Sequence, residues 1–370
     1  MKRKVSSDRR HTSVRRRTAE RGYTLLATGL ALFAVIGMAG LAIDLGRMYI
    51  AKNETQAYAD ASAIAAALEL DGTLAGFQRA RDAVANTQNR WNFGNNAFSG
   101  AQVEFSQNAT GPWEASPMSA AGYRFCRVTG SVNVPTSFVR VLASGATRPV
   151  AASAVAGQVL RSGTREGLFP FSPFAHSTDS LSNFGMQPGV RYTLRWAANP
   201  RLNNPVTTCP GDRQQAMIDL ANAGGGEERG YIEETSADVI RRSILYDYQS
   251  VFREVGDSVV MTGGAKQTQK NALIERVLQD TDQTSETFAE YVANGTGNWR
   301  RYVAAPINLG MEGGYRIVQI AGFFLLTADD YASASGGNRP FCAEYVGPYV
   351  KGGVGPGAGS PGYYVVRLVE

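Results

Sequence analysis

Across its 370 residues the chain carries a net charge of +5, yet nine basic and two acidic residues put +7 within residues 1–22 and leave −2 on the rest. The basic character therefore belongs to a terminal tail, and with no aromatics interleaved among its arginines it is not read as a nucleic-acid surface. Two histidines and three widely spaced cysteines with no CxxC pair exclude a zinc cluster and leave little for histidine-based catalysis.

The tail holds Lys2, Arg3, Lys4, Arg9, Arg10, Arg15, Arg16, Arg17 and Arg21 against Asp8 and Glu20. An uncharged apolar run from Tyr23 to Ile43 follows at once. As a helix rising about 1.5 Å per residue, it spans roughly 30 Å, the thickness of a bilayer's hydrocarbon core. Positive charge beside a first apolar helix holds that end in the cytoplasm, and the tail is placed to meet anionic membrane lipid. The expected order is a basic cytoplasmic tail at 1–22, a transmembrane helix at 23–45, and an exported remainder. The run is longer than the roughly 7–15 residues of a signal-peptide core. A small-x-small site near Ala61 to Ala63 lies well past the membrane, so an uncleaved anchor is expected.

From Gly37 the chain reads GMAGLAIDLGRMYIAKNETQAYADASAIAAALELDG. Its many alanines are strong helix formers, so the anchor helix is expected to continue as an Ala-rich stalk over 46–72. Small residues, among them Ala42 and Gly46 four apart, let another backbone approach closely. That face serves either partner subunits or the chain's own domain. Asp44, one turn before Arg47, reads most simply as half of an i,i+3 ion pair at the interface, although a carboxylate at a membrane helix is a functional candidate in its own right.

These residues resemble the N-terminal region of TadG-like proteins of the Flp (Tad) pilus-assembly group. The family box is an apolar helix ending in Ala-x-Asp-x-Gly-Arg-x-Tyr, then a Gln and an Ala-Asp-Ala helix. It is matched by Ala42, Asp44, Gly46, Arg47, Tyr49, Gln56, Ala59, Asp60 and Ala61. A weaker echo runs from Val134 to Leu142. The resemblance implies a single-pass protein of the bacterial cytoplasmic membrane, an accessory of pilus assembly or related secretion that acts by packing and is not an enzyme. Its implied partners are membrane lipid, other assembly or pilin subunits and a further copy of itself, with no cofactor and no nucleic acid. Some TadG proteins add a metal-binding Asp-x-Ser-x-Ser motif; Asp60-Ala-Ser62-Ala-Ile64 and Asp179-Ser180-Leu181-Ser182 do not fit it, so no metal site is carried over. Arg21-Gly22-Tyr23 also resembles a type IV prepilin cleavage site, but Ala27 stands where such prepilins have Glu. A minor pseudopilin cut after Gly22 is therefore the alternative.

Beyond Gly72 the expected fold is α+β. A small pilin-like region covers 73–160, with a helix at 77–90, loops and short strands from Asn92 to Gly122, and a strand from Tyr123 to Val134. That strand puts Cys126, Val128, Val132 and Val134 on one face; another is expected from Pro149 to Leu160. A break at Arg161 to Arg165 opens a second domain, 161–370. Its extended Leu168-Phe-Pro-Phe-Ser-Pro-Phe174 is expected to plug the core. A strand at Tyr192 to Trp196 follows, then helices at 212–222, 236–255, 267–280 and 284–293. The second of these has Ser236 as N-cap and an apolar face of Val239, Leu245, Tyr248, Phe252 and Val255. Strands are expected at Tyr302 to Leu309, Tyr315 to Thr327 and Tyr363 to Val369, with a Gly/Pro loop from Lys351 to Gly362.

Cys209 and Cys342, both assigned to loops, form the preferred disulfide in an oxidising compartment, and the third cysteine leaves intermolecular pairing open. His176 has no nucleophile elbow beside it and reads as a surface or satisfied loop histidine. Asp280-Thr-Asp282-Gln-Thr284 begins like a calcium loop but lacks its Gly and Glu, and capping of a helix near Thr284 is the simpler reading. An extracytoplasmic enzyme is the remaining alternative, and it requires convergent carboxylates in a pocket within 168–370, with Asp280 and Asp282 as candidates.

Overall fold

The computed structural model describes residues 12–87, 97–138, 147–223, 228–232, 236–263, 268–311, 314–333, 339–351 and 362–369. The part of the expected tail before Thr12 and residues 352–361 of the expected Gly/Pro loop lie outside these residues. The protein is α+β. In chain order its elements are α1 (Thr12–Leu68), α2 (Leu74–Asn86), β1 (Ser99–Ser106), β2 (Phe125–Pro135), β3 (Thr147–Arg161), β4 (Gly163–Thr164), β5 (Arg191–Arg195) and α3 (Gln215–Ala223). There follow β6 (Glu228–Ile232), α4 (Ala237–Tyr246), β7 (Arg253–Glu254), β8 (Ser258–Val259), β9 (Met261–Gly263), α5 (Thr268–Leu278) and α6 (Phe288–Asn294). The last are β10 (Tyr302–Met311), β11 (Gly314–Leu325), α7 (Ala328–Ser333), β12 (Phe341–Pro348), β13 (Val350–Lys351) and β14 (Tyr363–Val369).

Packing divides the chain into two units. The first comprises the described parts of Met1–Ala59, Gln88–Ala101 and Thr129–Ser153; the second comprises those of Asp60–Thr87, Gln102–Val128 and Ala154–Glu370. One sheet has the order β1-β2-β3-β14-β13, and another the order β10-β11-β12-β5 with β8 pairing β11.

In the first unit α1 is a single helix from the tail through the apolar run, and no proline interrupts it. From Gly22 onward it is long and apolar enough to cross a membrane: its most apolar 18-residue window has a mean hydropathy of 2.2 and is only 6% buried. Leu25, Phe33, Val35 and Met38 are all exposed. A helix that is apolar on every side and this long has the length and composition of a membrane span.

In the second unit the stalk ends at Leu68, earlier than the expected 72. The Gln158 amide donates to the carbonyls of Ala67 (3.1 Å) and Leu70 (2.5 Å), satisfying acceptors that a helix end leaves orphaned. Asp71 then accepts the Thr73 N–H, and Thr73 Oγ1 accepts the Gly76 N–H to open α2. Arg79 ties Glu69 to Asp71. On β2, Cys126, Val128, Val132 and Val134 are buried as the alternation requires.

The core of the second unit lies on the antiparallel β10-β11-β12-β5 sheet, with Tyr302 opposite Phe324, Phe323 opposite Tyr345, and Cys342 opposite Thr193. Helices α4, α5 and α7 bury Ile240, Ile244, Leu273, Val277 and Tyr331 against it. The 168–174 segment runs beside β10, donating Phe169 N–H to Ala304 O and accepting Asn308 N–H at Pro173 O. Its prolines have no N–H to give, which confines it to the margin of the sheet. Extension sends Phe169 and Phe171 into the main core while Leu168 and Phe174 enter two smaller clusters.

Several expectations need correction. Helix α4 stops at Tyr246, because Asp247 turns left-handed (φ 56°) and directs its carboxylate to Arg276 and Arg300. Tyr248, Phe252 and Val255 therefore leave the helix, and Phe252 is 41% exposed. Ser236 stands at the N-cap position but makes no side-chain cap. Helix α6 starts after Thr287, whose hydroxyl and Glu290 close a capping box, so Thr284 is not its cap. Cys342 lies in strand β12 and not in a loop. That strand is buried on both faces, so it shows no alternation for sequence reading to detect.

Asp282 illustrates why the turn before α6 holds. Burial pushes its carboxyl up, but hydrogen bonds from the Ser285 hydroxyl and N–H, the Thr284 N–H and Asn294 outweigh burial and hold it below the usual carboxylate range. A carboxylate depressed in the folded state adds stability above its unfolded value, about 4, and loses that contribution as pH falls toward the folded value. The thermal midpoint is therefore expected to fall below about pH 4, and Asp282→Asn to flatten that slope in a pH series of melting curves.

Candidate functional site

The box residues occupy the stretch where α1 leaves its apolar segment, and within the first unit they are met by the residues that follow β2. Asp44 is 1% exposed. Its carboxylate accepts the backbone N–H of Ser137 at 3.0 Å and of Phe138 at 2.8 Å. One turn on, Arg47 Nη1 donates to Ser137 Oγ at 3.1 Å. The Phe138 ring lies over Gly40, where an added Cβ would sit 2.3 Å from the ring's Cγ. Glycine is required there by close approach, so Gly40, Asp44 and Arg47 form one clasp on one helix face, spaced as i, i+4 and i+7.

Farther along the same face Ala51 is fully buried in a cluster with Tyr58, Phe98, Val132, Val134 and Val150. Tyr58 and Phe98 stack with centroids 4.7 Å apart. Lys52 Nζ donates to Ala151 O and Gln56 Nε2 to Ser153 O. The helix thus changes within a few turns from exposed all round to fastened along one side.

The remaining box residues divide by face. Ala59 is buried and Asp60 half-buried, whereas Ala42, Gly46, Tyr49 and Ala61 are exposed, Tyr49 to 69%. Nothing lies within 4 Å of a Cβ placed on Gly46. What sequence reasoning missed is the main-chain donors that Asp44 receives, together with Gly40, Ser137 and Phe138. The signal was present in the Val134–Leu142 echo, of which residues 139–142 lie outside the described residues.

The clasp makes a quantitative prediction. Asp44→Ala leaves two N–H groups without their charged acceptor, and hydrogen bonds to a charged group contribute about 1.5–3 kcal/mol. The Ser137 and Phe138 amides are expected to exchange with deuterium at least tenfold faster in the variant, with Asp44→Asn intermediate.

The cysteines lie in the second unit. Cys209 and Cys342 are bonded, with Cα atoms 5.8 Å apart. Cys126 is a free thiol, fully buried, and burial pushes its pKa well up, so it is kept protonated and unreactive. His176 is buried with Nε2 2.8 Å from Asp212 Oδ1, a satisfied loop histidine and not a surface one.

Asp280 and Asp282 are likewise consumed. Asp280 accepts from the N–H groups of Asp282, Asn298 and Arg301 and from the Tyr291 hydroxyl. Buried Arg301 donates to the carbonyls of Leu325, Asp282 and Ser285. Among the described residues no three His, Cys, Asp or Glu side chains gather in a way that would hold a metal ion. A cleft of about 390 Å³ lies elsewhere in the same unit, lined by Glu166, Asp247, Arg276, Arg300 and Lys351 among others. Its charged groups are all paired: Asp247 with both Arg276 and Arg300, and Glu166 with Lys351.

No curated protein and no solved structure matches the chain. Residues 22–69, which hold the apolar run, the clasp residues on α1 and the Ala-rich stalk, match the family model described as putative Flp pilus-assembly TadE/G-like, and this similarity supports a role in Flp pilus assembly for a membrane-anchored envelope protein.

Proposed function

We propose that the protein is a single-pass accessory or scaffold of Flp (Tad) pilus assembly or a related secretion machine, with its basic end in the cytoplasm and its bulk outside the cytoplasmic membrane. It acts by packing against neighbouring subunits and performs no chemistry. The observation that carries the reading is the change along α1: apolar and exposed through the membrane-length segment, then clasped by its own unit at Gly40, Asp44 and Arg47. Because one face is taken up by its own unit, the exposed Ala42, Gly46, Tyr49 and Ala61 are the box residues left for a partner helix.

Photo-crosslinking from Tyr49 and Ala61 in the native membrane tests this. Adducts with pilus components or a second copy are expected, and none from buried Ala51. Crosslinks from Ala51 equal to those from Tyr49 would overturn the assignment of faces. The mass of the mature N-terminus separates the anchor from the pseudopilin: a chain beginning at Tyr23 would replace the scaffold reading with that of a processed pilin-like subunit.

A further inference from the structure

The Cys209–Cys342 bond lies in the wall of a second cleft, of about 270 Å³. Thr208 and Pro210, which flank Cys209, form part of one side; Pro340 and Cys342, at the start of β12, form part of another. Its charged lining is Arg191, Arg213 and Arg339 with the single carboxylate of Asp330, a balance of +2. Asp330 is committed elsewhere, accepting the Thr327 N–H at 3.2 Å and hydroxyl at 2.8 Å. Among the described residues no carboxylate lies within 4.0 Å of the three guanidiniums. Arg191 donates to Glu286 O and Arg213 to Pro205 O, both backbone carbonyls. Glu344, whose field reaches Arg191, is buried and accepts the Phe288 N–H.

The contrast with the larger cleft is one of pairing. There the cations are held in ion pairs; here, among the described residues, none of the three guanidiniums is in an ion pair, although Asp330 shares the lining and Glu344 lies opposite Arg191 across β5 and β12. Like charges gathered around one cleft repel, an anion among them relieves that repulsion, and the planar guanidinium fork suits a tetrahedral oxyanion. A phosphate monoester carries about −1.5 to −2 near neutral pH, which matches the lining better than a single carboxylate does. The volume exceeds that of a bare phosphate, and Val206, Leu326 and Pro340 offer an apolar wall for an organic group. We propose that this cleft binds a small phosphate monoester, with Arg191, Arg213 and Arg339 as its donors and the disulfide holding two of its walls together.

Calorimetric titration of the full chain in non-ionic detergent at low salt, with phenyl phosphate as probe, tests this. One saturable site is expected, weakened about tenfold or more by Arg213→Gln or Arg339→Gln, and unchanged by Lys351→Gln in the larger, ion-paired cleft. Both arginines are exposed, and a circular dichroism spectrum checks that each variant is folded. Reduction of the disulfide is expected to weaken binding. No saturation at millimolar probe, or arginine variants that bind as the parent does, would overturn the site. Benzoate binding as tightly as phenyl phosphate would overturn the charge match, and inorganic phosphate doing so would overturn the ester.

Discussion

Replacing Cys209 with serine is expected to lower the stability of the second unit by about 4 kcal/mol. The bond joins residues 133 apart in sequence, and closing a loop of about 100 residues removes roughly 4.7 kcal/mol of chain entropy from the unfolded state, within a usual range of 2–5 for native disulfides. It ties the segment before α3 to β12, an inner strand of the five-stranded sheet, and Cys209 itself is fully buried. At about 2–4 °C per kcal/mol for a unit of this size, the melting midpoint should fall by about 8–16 °C. Reductant should bring the parent protein down to the variant and leave the variant unmoved. A parent midpoint indifferent to reductant would show that the bond contributes nothing.

Asp280→Ala should cost about 3–5 kcal/mol, although the residue touches no cleft described above. Its two oxygens gather the N–H groups of Asp282, Asn298 and Arg301 and the Tyr291 hydroxyl. Truncation strands all four, and removes a negative charge from beside the fully buried Arg301. Asp280→Asn keeps one acceptor oxygen and should recover part of the loss in urea unfolding. Burial raises the Tyr291 phenol first and the hydrogen bond to Asp280 second. In the alanine variant that phenol should therefore titrate at lower pH, read by its ultraviolet absorbance. An unchanged midpoint would mean that water replaces the carboxylate at no cost.

The two carboxylates show where sequence reading stops. Asp280-Thr-Asp282 has the composition of a cation loop or a catalytic pair, and composition was the only criterion that the sequence offered. The fold supplies Arg301, Tyr291 and Ser285 from 3 to 21 positions away, and their donors turn a candidate site into a structural knot. Asp44 behaves the same way, for nothing local reveals that Ser137 and Phe138 come to it. Helix α4 failed for a related reason. Its apolar periodicity runs on past Tyr246, but Asp247 leaves the helix for two arginines distant in sequence, and those ion pairs override the local pattern.

The sequence by itself determined what depends on neighbours along the chain: the membrane-length helix, its Ala-rich continuation, the alternating face of β2 and the TadE/G-like box. Length, hydropathy and periodicity are local properties, and they survive in any tertiary context. Only the tertiary structure decided which face of the stalk is taken, which charges pair and which cleft gathers three arginines against a single carboxylate in its lining. Those outcomes rest on groups tens to more than a hundred residues apart, whose energies exist only once the chain has brought them within a few ångströms.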